Sequence, residues 1–242
     1  AFNISKERKN TEEEINKEEK DILRRLARET WAYFEDFISP KTNWLSPDNY
    51  QEEPYKGVAY RTSPTNMAMG ISSNIVAYDL GYIGIKELTY RLQHIISNME
   101  SLEMYRGHFY NWYDIKNKVP LKPRYISTVD SGNLVAYMWL TEESLEEYLN
   151  YPITNKNLTE GFKDTLKLAQ NELYNNLKIE CAYENFIDKL SGENLNIFSL
   201  ERFLWNLNEE CMKFIGNGTD LYWNEKVKNM TCKFMDELNQ FF

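Results

Sequence analysis

From Glu18 to Ile38 the apolar residues Ile22, Leu23, Leu26, Ala27, Trp31, Phe34, Phe37 and Ile38 recur three and four positions apart, which places them on one face of a helix. Pro40 ends that helix, because proline lacks an amide hydrogen and bars its predecessor from helical geometry. Ser63 caps a second helix with Pro64 in its first turn, running through MAMGISSNIVAY to a stop at Gly81. A third follows from Ile85 to Leu102, with Leu88, Leu92, Ile95, Ile96 and Met99 on its buried side. Ser127 or Thr128 caps a fourth, whose VDSGNLVAYMWL begins polar and becomes apolar. After a break near Tyr151 and Pro152 the pattern predicts helices from Thr159 to about Leu190, Asn196 to Ile215 and Asp220 to Phe242, the last two separated by GNGTD.

Two stretches interrupt this helical pattern. Residues 39 to 62 hold three prolines and one glycine with no sustained period, so they read as a long loop of the kind that tends to carry function. RGHFYNWYD, residues 106 to 114, packs four aromatics with a histidine, an asparagine, an arginine and an aspartate. With IKNK as its turn and VPLKPRYI as its return arm, it predicts a β-hairpin inserted between helices. Strand alternation there puts Tyr110 and Trp112 on one face and Asn111 and Tyr113 on the other. One face belongs to the core, and the other is a candidate stacking platform.

The resulting fold class is all-α with a short β-hairpin insertion, in six or seven helices. Helices rich in small residues, MAMGISSN and SGNLVA, alternate with amphipathic ones such as Glu18 to Ile38. That suits a ring of paired helices, with small residues crowding the axis, or an irregular bundle. A charged segment, residues 1–17, precedes a single helical domain, residues 18–242. The N-terminus lacks the apolar core of a signal peptide, and no apolar run approaches membrane-spanning length.

The chain has 242 residues, enough for a sizeable core. Its formal net charge of -9 argues against nucleic acid as a partner, because that binding relies on clustered lysine and arginine. Cys181, Cys211 and Cys232 are scattered, which fits free buried thiols in a reducing compartment better than disulfides. With His94 and His108 they make no familiar metal spacing, and no phosphate loop or nucleophile elbow implies a cofactor or a serine mechanism. Aromatics at 14% exceed what a core alone asks for.

Three segments rich in carboxylate, amide and hydroxyl side chains stand out, PDNYQE with RTSPTN, RGHFYNWYD, and STVDSGN, with the aromatics concentrated in the second. Aromatic faces stack on the C–H faces of a sugar ring, while carboxylate, amide and guanidinium groups pair with vicinal hydroxyls. The candidate substrate-binding residues are Trp44, Asp48, Asn49, Gln51, Arg61, Thr62, Asn66, Arg106, His108, Tyr110, Asn111, Trp112, Tyr113, Asp114, Thr128 and Asn133. Trp44 offers a second stacking platform, against simple loop packing. Asp130 is the candidate catalytic acid; its other reading is a carboxylate held at a helix N-terminus by the dipole. Asp48 and Asp114 read equally as turn residues, and Arg61 and Arg106 as loop-bracing ion pairs. A two-carboxylate mechanism is the catalysis these residues support most readily.

The ordered set WLSPDNYQE, AYRTSPTNM, YDLGYIG, LEMYRGHFYNWYD and RYISTVDSGNL resembles the glucoamylase-like domain of the cyclic β-1,2-glucan synthases, over residues 18 to about 140. The resemblance implies an (α/α)6 toroid that acts on β-1,2-glucan by transglycosylation, cyclisation or hydrolysis, with the quoted motifs lining its cleft. It implies other domains of a parent synthase as partners, and a place at the inner face of the membrane without direct insertion. A full toroid needs twelve helices and about half are predicted here, so the expectation is an incomplete ring, with self-association as one consequence. The alternative is a glucan-binding or helical scaffold module.

Overall fold

The structure, a computed structural model, describes residues 15–151, 156–172, 184–185, 187–188, 197–215 and 221–240. Helices dominate, and the small sheets are all antiparallel. The helix α1 spans Lys17–Phe37 and opens with a reciprocal cap: the Asn16 side chain accepts from the Glu19 amide while Glu19 accepts from that of Asn16, which satisfies two amides a helix start leaves unpaired. A 3-10 turn, Pro40–Thr42, follows.

The stretch expected as plain loop holds short strands, β1 (Tyr50–Gln51), β2 (Gly57–Val58) and β3 (Arg61–Thr62), with β1 paired to β2. Next comes α2, Pro64–Asp79, capped by the Ser63 hydroxyl at the Asn66 amide, and then α3, Ile85–Glu100.

The expected single hairpin is two. Strands β4 (Met104–Tyr105) and β5 (His108–Phe109) pair across Arg106 and Gly107, both with positive φ, the geometry a tight two-residue hairpin turn requires. Strand β6 (Tyr113–Asp114) pairs with β7 (Val119–Pro120) and, on its other edge, with β3. The break falls at Asn111, whose amide donates to the Tyr125 carbonyl instead of a strand partner. Four helices complete the description: α4 (Thr128–Tyr148), α5 (Lys156–Glu172), α6 (Ile197–Ile215) and α7 (Tyr222–Leu238). The predicted continuation of α5 towards Leu190 and the GNGTD segment lie outside the described residues.

Two apolar clusters form. One gathers Trp31, Phe34, Ile38, Met67, Ile71, Leu88, Leu92 and Tyr113 from α1 to α3 and the hairpins. The other gathers Phe162, Leu166, Leu204, Leu207, Val227 and Phe234 from α5 to α7. Polar side chains of α1 join them. Buried Arg28 pairs with Glu35 at 3.2 Å, donates to the Thr165 hydroxyl at 2.9 Å and lies over the rings of Tyr82 and Trp223. Arg24 pairs with Asp164 at 2.7 Å, and Lys226 of α7 bridges Glu35 and Asp36. At the start of α3 the Glu237 carboxylate accepts from the Ile85 and Lys86 amides, doing from another helix what a local cap does elsewhere.

Ile96, expected on the buried side of α3, is exposed, and Ile22, Leu23 and Leu26 on the apolar face of α1 are exposed too, because a helical period marks a face without deciding how much of it is covered. Cys232 is exposed as well as free, not the buried thiol expected.

Candidate functional site

Strand pairing first brings two of the sequence segments together. Arg61 and Thr62 of β3 stand opposite Asp114 and Tyr113 of β6, so RTSPTN runs beside NWYD. The Asn111 to Tyr125 backbone bond, 2.9 Å, then ties that pair to the segment entering α4. Segments some 60 residues apart in the chain thus share one surface at the N-terminal ends of α2 and α4.

Within it, Asp48 is a hub. Its Oδ2 accepts from Arg61 Nε at 3.0 Å, Arg61 Nη2 at 2.7 Å and Asn49 Nδ2 at 3.0 Å, and its Oδ1 accepts from Asn66 Nδ2 at 3.3 Å. Both oxygens are engaged, so Asp48 orients neighbours rather than exchanging a proton. The Arg61 guanidinium held this way lies 4.9 Å from the ring centre of Trp112, a cation–π distance.

Asp130 is the second carboxylate. The Ser127 hydroxyl accepts from the Asp130 amide at 3.2 Å, and Asn111 Nδ2 approaches Asp130 Oδ2 at 3.5 Å. Burial works against its ionisation. The hydroxyls of Ser127, Thr65 and Ser63 and the Thr65 amide outweigh it and hold the carboxyl below the usual aspartate range. Asp130 therefore clamps the first turn of α2 to the first turn of α4. A carboxylate kept ionised can accept hydrogen bonds or a proton, but it is poorly suited to donate one. Asn133 adds a second tie across the same helix ends, from its Nδ2 to Thr65 Oγ1 at 3.1 Å.

The strict alternation expected over residues 110–113 is interrupted by the break at Asn111, and the Tyr110 ring packs towards Tyr113, 6.4 Å between centres. Tyr113 is buried, with its hydroxyl donating to the Glu103 carbonyl at 2.7 Å and accepting from the Tyr110 amide at 2.8 Å; burial pushes its pKa up to about 12. Asn111 shares that buried face, with Nδ2 also donating to Tyr125 Oη at 3.3 Å. Trp112 and Tyr110 are half-buried.

Other sequence candidates stand elsewhere. Trp44 packs edge-on against Tyr90 and His94, at 5.4 and 4.9 Å, so its aromatic partners are on α3. Arg106 and His108 are exposed on the β4–β5 hairpin, where Arg106 lies over the Tyr105 ring. Asp114 Oδ1 accepts from the Asn117 amide at 2.7 Å and so shapes the hairpin turn. Gln51 donates within its own hairpin to the Glu53 carbonyl. Thr62 is fully buried, with a hydroxyl that has no partner among the described residues, and Thr128 is exposed at the first position of α4. Sequence reasoning passed over Thr65 and Tyr125 and read Ser63 and Ser127 only as helix caps, although all four are partners of Asp130 or Asn111 and lie in or beside the quoted motifs. Among the described residues no group of three or more histidine, cysteine, aspartate or glutamate side chains could hold a metal ion.

No protein-family model matches the chain. Over 163 residues, 66% of its length, it is 38% identical to cyclic beta-(1,2)-glucan synthase NdvB of Rhizobium meliloti. The match spans only 6% of that protein's length. Solved structures give weaker likenesses. A Bacteroides fragilis protein assigned as a glucoamylase is 17% identical with a TM-score of 0.41, over 70% of this chain and 35% of its own. A Bacteroides caccae protein of the same assignment is 18% identical with a TM-score of 0.37, over 84% of this chain and 41% of its own. The similarity in sequence to the glucan synthase is thus substantial, whereas likenesses at these TM-scores carry no weight for the architecture.

Proposed function

We propose that this chain forms the glucan-binding part of a carbohydrate-active domain, and that a β-1,2-linked glucose chain lies across Arg61, Trp112 and Asp130. The observation that carries this reading is the convergence of three distant segments, two polar and one aromatic, on one surface at two helix N-termini. Trp112 offers an aromatic surface for a pyranose ring, and the amide and carboxylate groups beside it match vicinal hydroxyls. The similarity to a cyclic β-(1,2)-glucan synthase supports glucan as the class of ligand.

In the complete domain, transfer or hydrolysis of the glucan would proceed through a carboxylate pair. Asp130 is this chain's candidate member, suited by its ionised state to act as base or to stabilise positive charge, with the proton donor supplied from outside the cluster. Its parent protein would hold the domain at the inner face of a membrane through further domains. Among the described residues no helix is long and apolar enough to cross a membrane, so anchoring would rest on those other parts.

A tryptophan-fluorescence titration with linear β-1,2-gluco-oligosaccharides tests the proposal, with β-1,3 and β-1,4 oligomers as controls. Saturable binding of the β-1,2 series, lost in Trp112→Ala, is the expected result. Equal response to all three linkages, or to none, would overturn it.

A further inference from the structure

Helix α4 carries apolar residues on every side, with no net hydrophobic face, the pattern of a helix buried all round. Yet only Leu134, Thr141 and Tyr148 are buried. Trp139 is 66% exposed and Leu149 86% exposed, and Val135, Met138 and Leu140 stand open between them. Large apolar patches of this kind mark interaction surfaces. Part of the patch is shaped. Between α3 and α4 runs a groove of about 410 Å³, floored by Ile71 of α2 and walled by Ile96, Met138, Leu145 and Leu149.

One edge of the groove is acidic. Glu142 and Glu146 line it, and Glu143 and Glu147 continue the run along the same helix end. None of the four forms an ion pair with a described residue. They stand at the carboxyl end of α4, which has no basic residue in its last turn, where the helix dipole opposes negative charge. A cation at this edge would relieve both repulsions.

We propose that the groove between α3 and α4 is a docking site for one amphipathic helix with lysine or arginine flanking its apolar stripe. The apolar walls suit a helix laid in a groove, and the glutamates select its charge. A second copy of this chain fits less well, because a two-fold contact sets a surface against itself and the chain carries a net charge of -9. An anionic lipid surface is repelled by the same glutamates. The inference stands on α4 alone and is independent of glucan binding.

Calorimetric titration of the chain with two synthetic amphipathic peptides tests it, both bearing one leucine stripe, flanked by lysine in one and by glutamate in the other. The lysine peptide saturates at one per chain and binds at least about tenfold tighter than the glutamate peptide, a ratio that measures specificity as a difference of affinities. Leu145→Glu, at an exposed position, abolishes binding while leaving the circular dichroism unchanged, and a Glu142→Lys, Glu146→Lys double variant reverses the preference. Failure of both peptides, equal binding, or an unreversed preference would overturn the proposal. So would sedimentation showing a dimer that Leu145→Glu converts to monomer, since the occupant would then be a second copy.

Discussion

Asp130 holds the starts of α2 and α4 together through its carboxylate. Its folded-state pKa lies below the ordinary value of 3.8, so the unfolded chain binds this proton more readily. The resulting stability is present above the unfolded value and is lost as pH falls through the folded one. Asp130→Asn should therefore melt at lower temperature than the parent at neutral pH, and the gap should narrow as the pH falls below about 4, where the unfolded chain protonates first, and close only once the folded carboxylate is protonated as well. Thermal melts across that range check this; a gap that stays constant to low pH would remove the clamp. Arg61 makes a different case. It is more than half exposed, so Arg61→Ala should change stability by no more than about 1 kcal/mol. It should nevertheless weaken glucan binding, because Trp112 loses the cation over its ring and Asp48 loses its main partner. Paired melting and oligosaccharide titrations separate the two effects.

Between elements, close approach matters more than periodicity. Gly81, in the turn from α2 to α3, has a φ of +79°, which only glycine adopts without strain, and a Cβ there would overlap the Asn157 carbonyl beside α5. Gly161 of α5 faces it, and its own Cβ would overlap the Gly81 backbone. Gly81→Ala and Gly161→Ala should each cost more than about 2 kcal/mol, in the range of strain and overpacking. Gly107, at φ +81° with nothing near its Cβ, should cost only about 1 kcal/mol when changed to alanine, from backbone strain alone. Denaturant melts of the three variants check the order. Buried Arg28 makes the other strong link, and Arg28→Ala leaves Glu35 short of a partner beneath α7, so a loss of about 3–5 kcal/mol is expected.

These cases show what the sequence could and could not reveal. The helices α1, α2, α4 and α6 were legible because caps, prolines and three-to-four spacing are local signals. The hairpin was legible in outline, but its division at Asn111 depends on a bond to Tyr125 fourteen positions away. RTSPTN and STVDSGN were readable as polar segments at helix starts and NWYD as an aromatic strand, but their meeting on one surface rests on strand pairing and contacts with no local mark. The packing of Trp44 was not legible, since its partners Tyr90 and His94 lie about 50 residues on, with no local mark of the contact.

At the scale of the molecule, α1 ties two apolar clusters together while the N-terminal ends of α2 and α4 gather the groups proposed to bind glucan. The exposed flank of α4 leaves its other surfaces open to a partner. Hydrogen exchange with and without a linear β-1,2-gluco-oligosaccharide tests the central claim most directly, because it reports all three segments at once. The account predicts that residues 61–66, 108–114 and 127–133 gain protection together, over one concentration range, with little change in α5 to α7. Protection confined to one segment, or appearing on the α5 to α7 side, would contradict it.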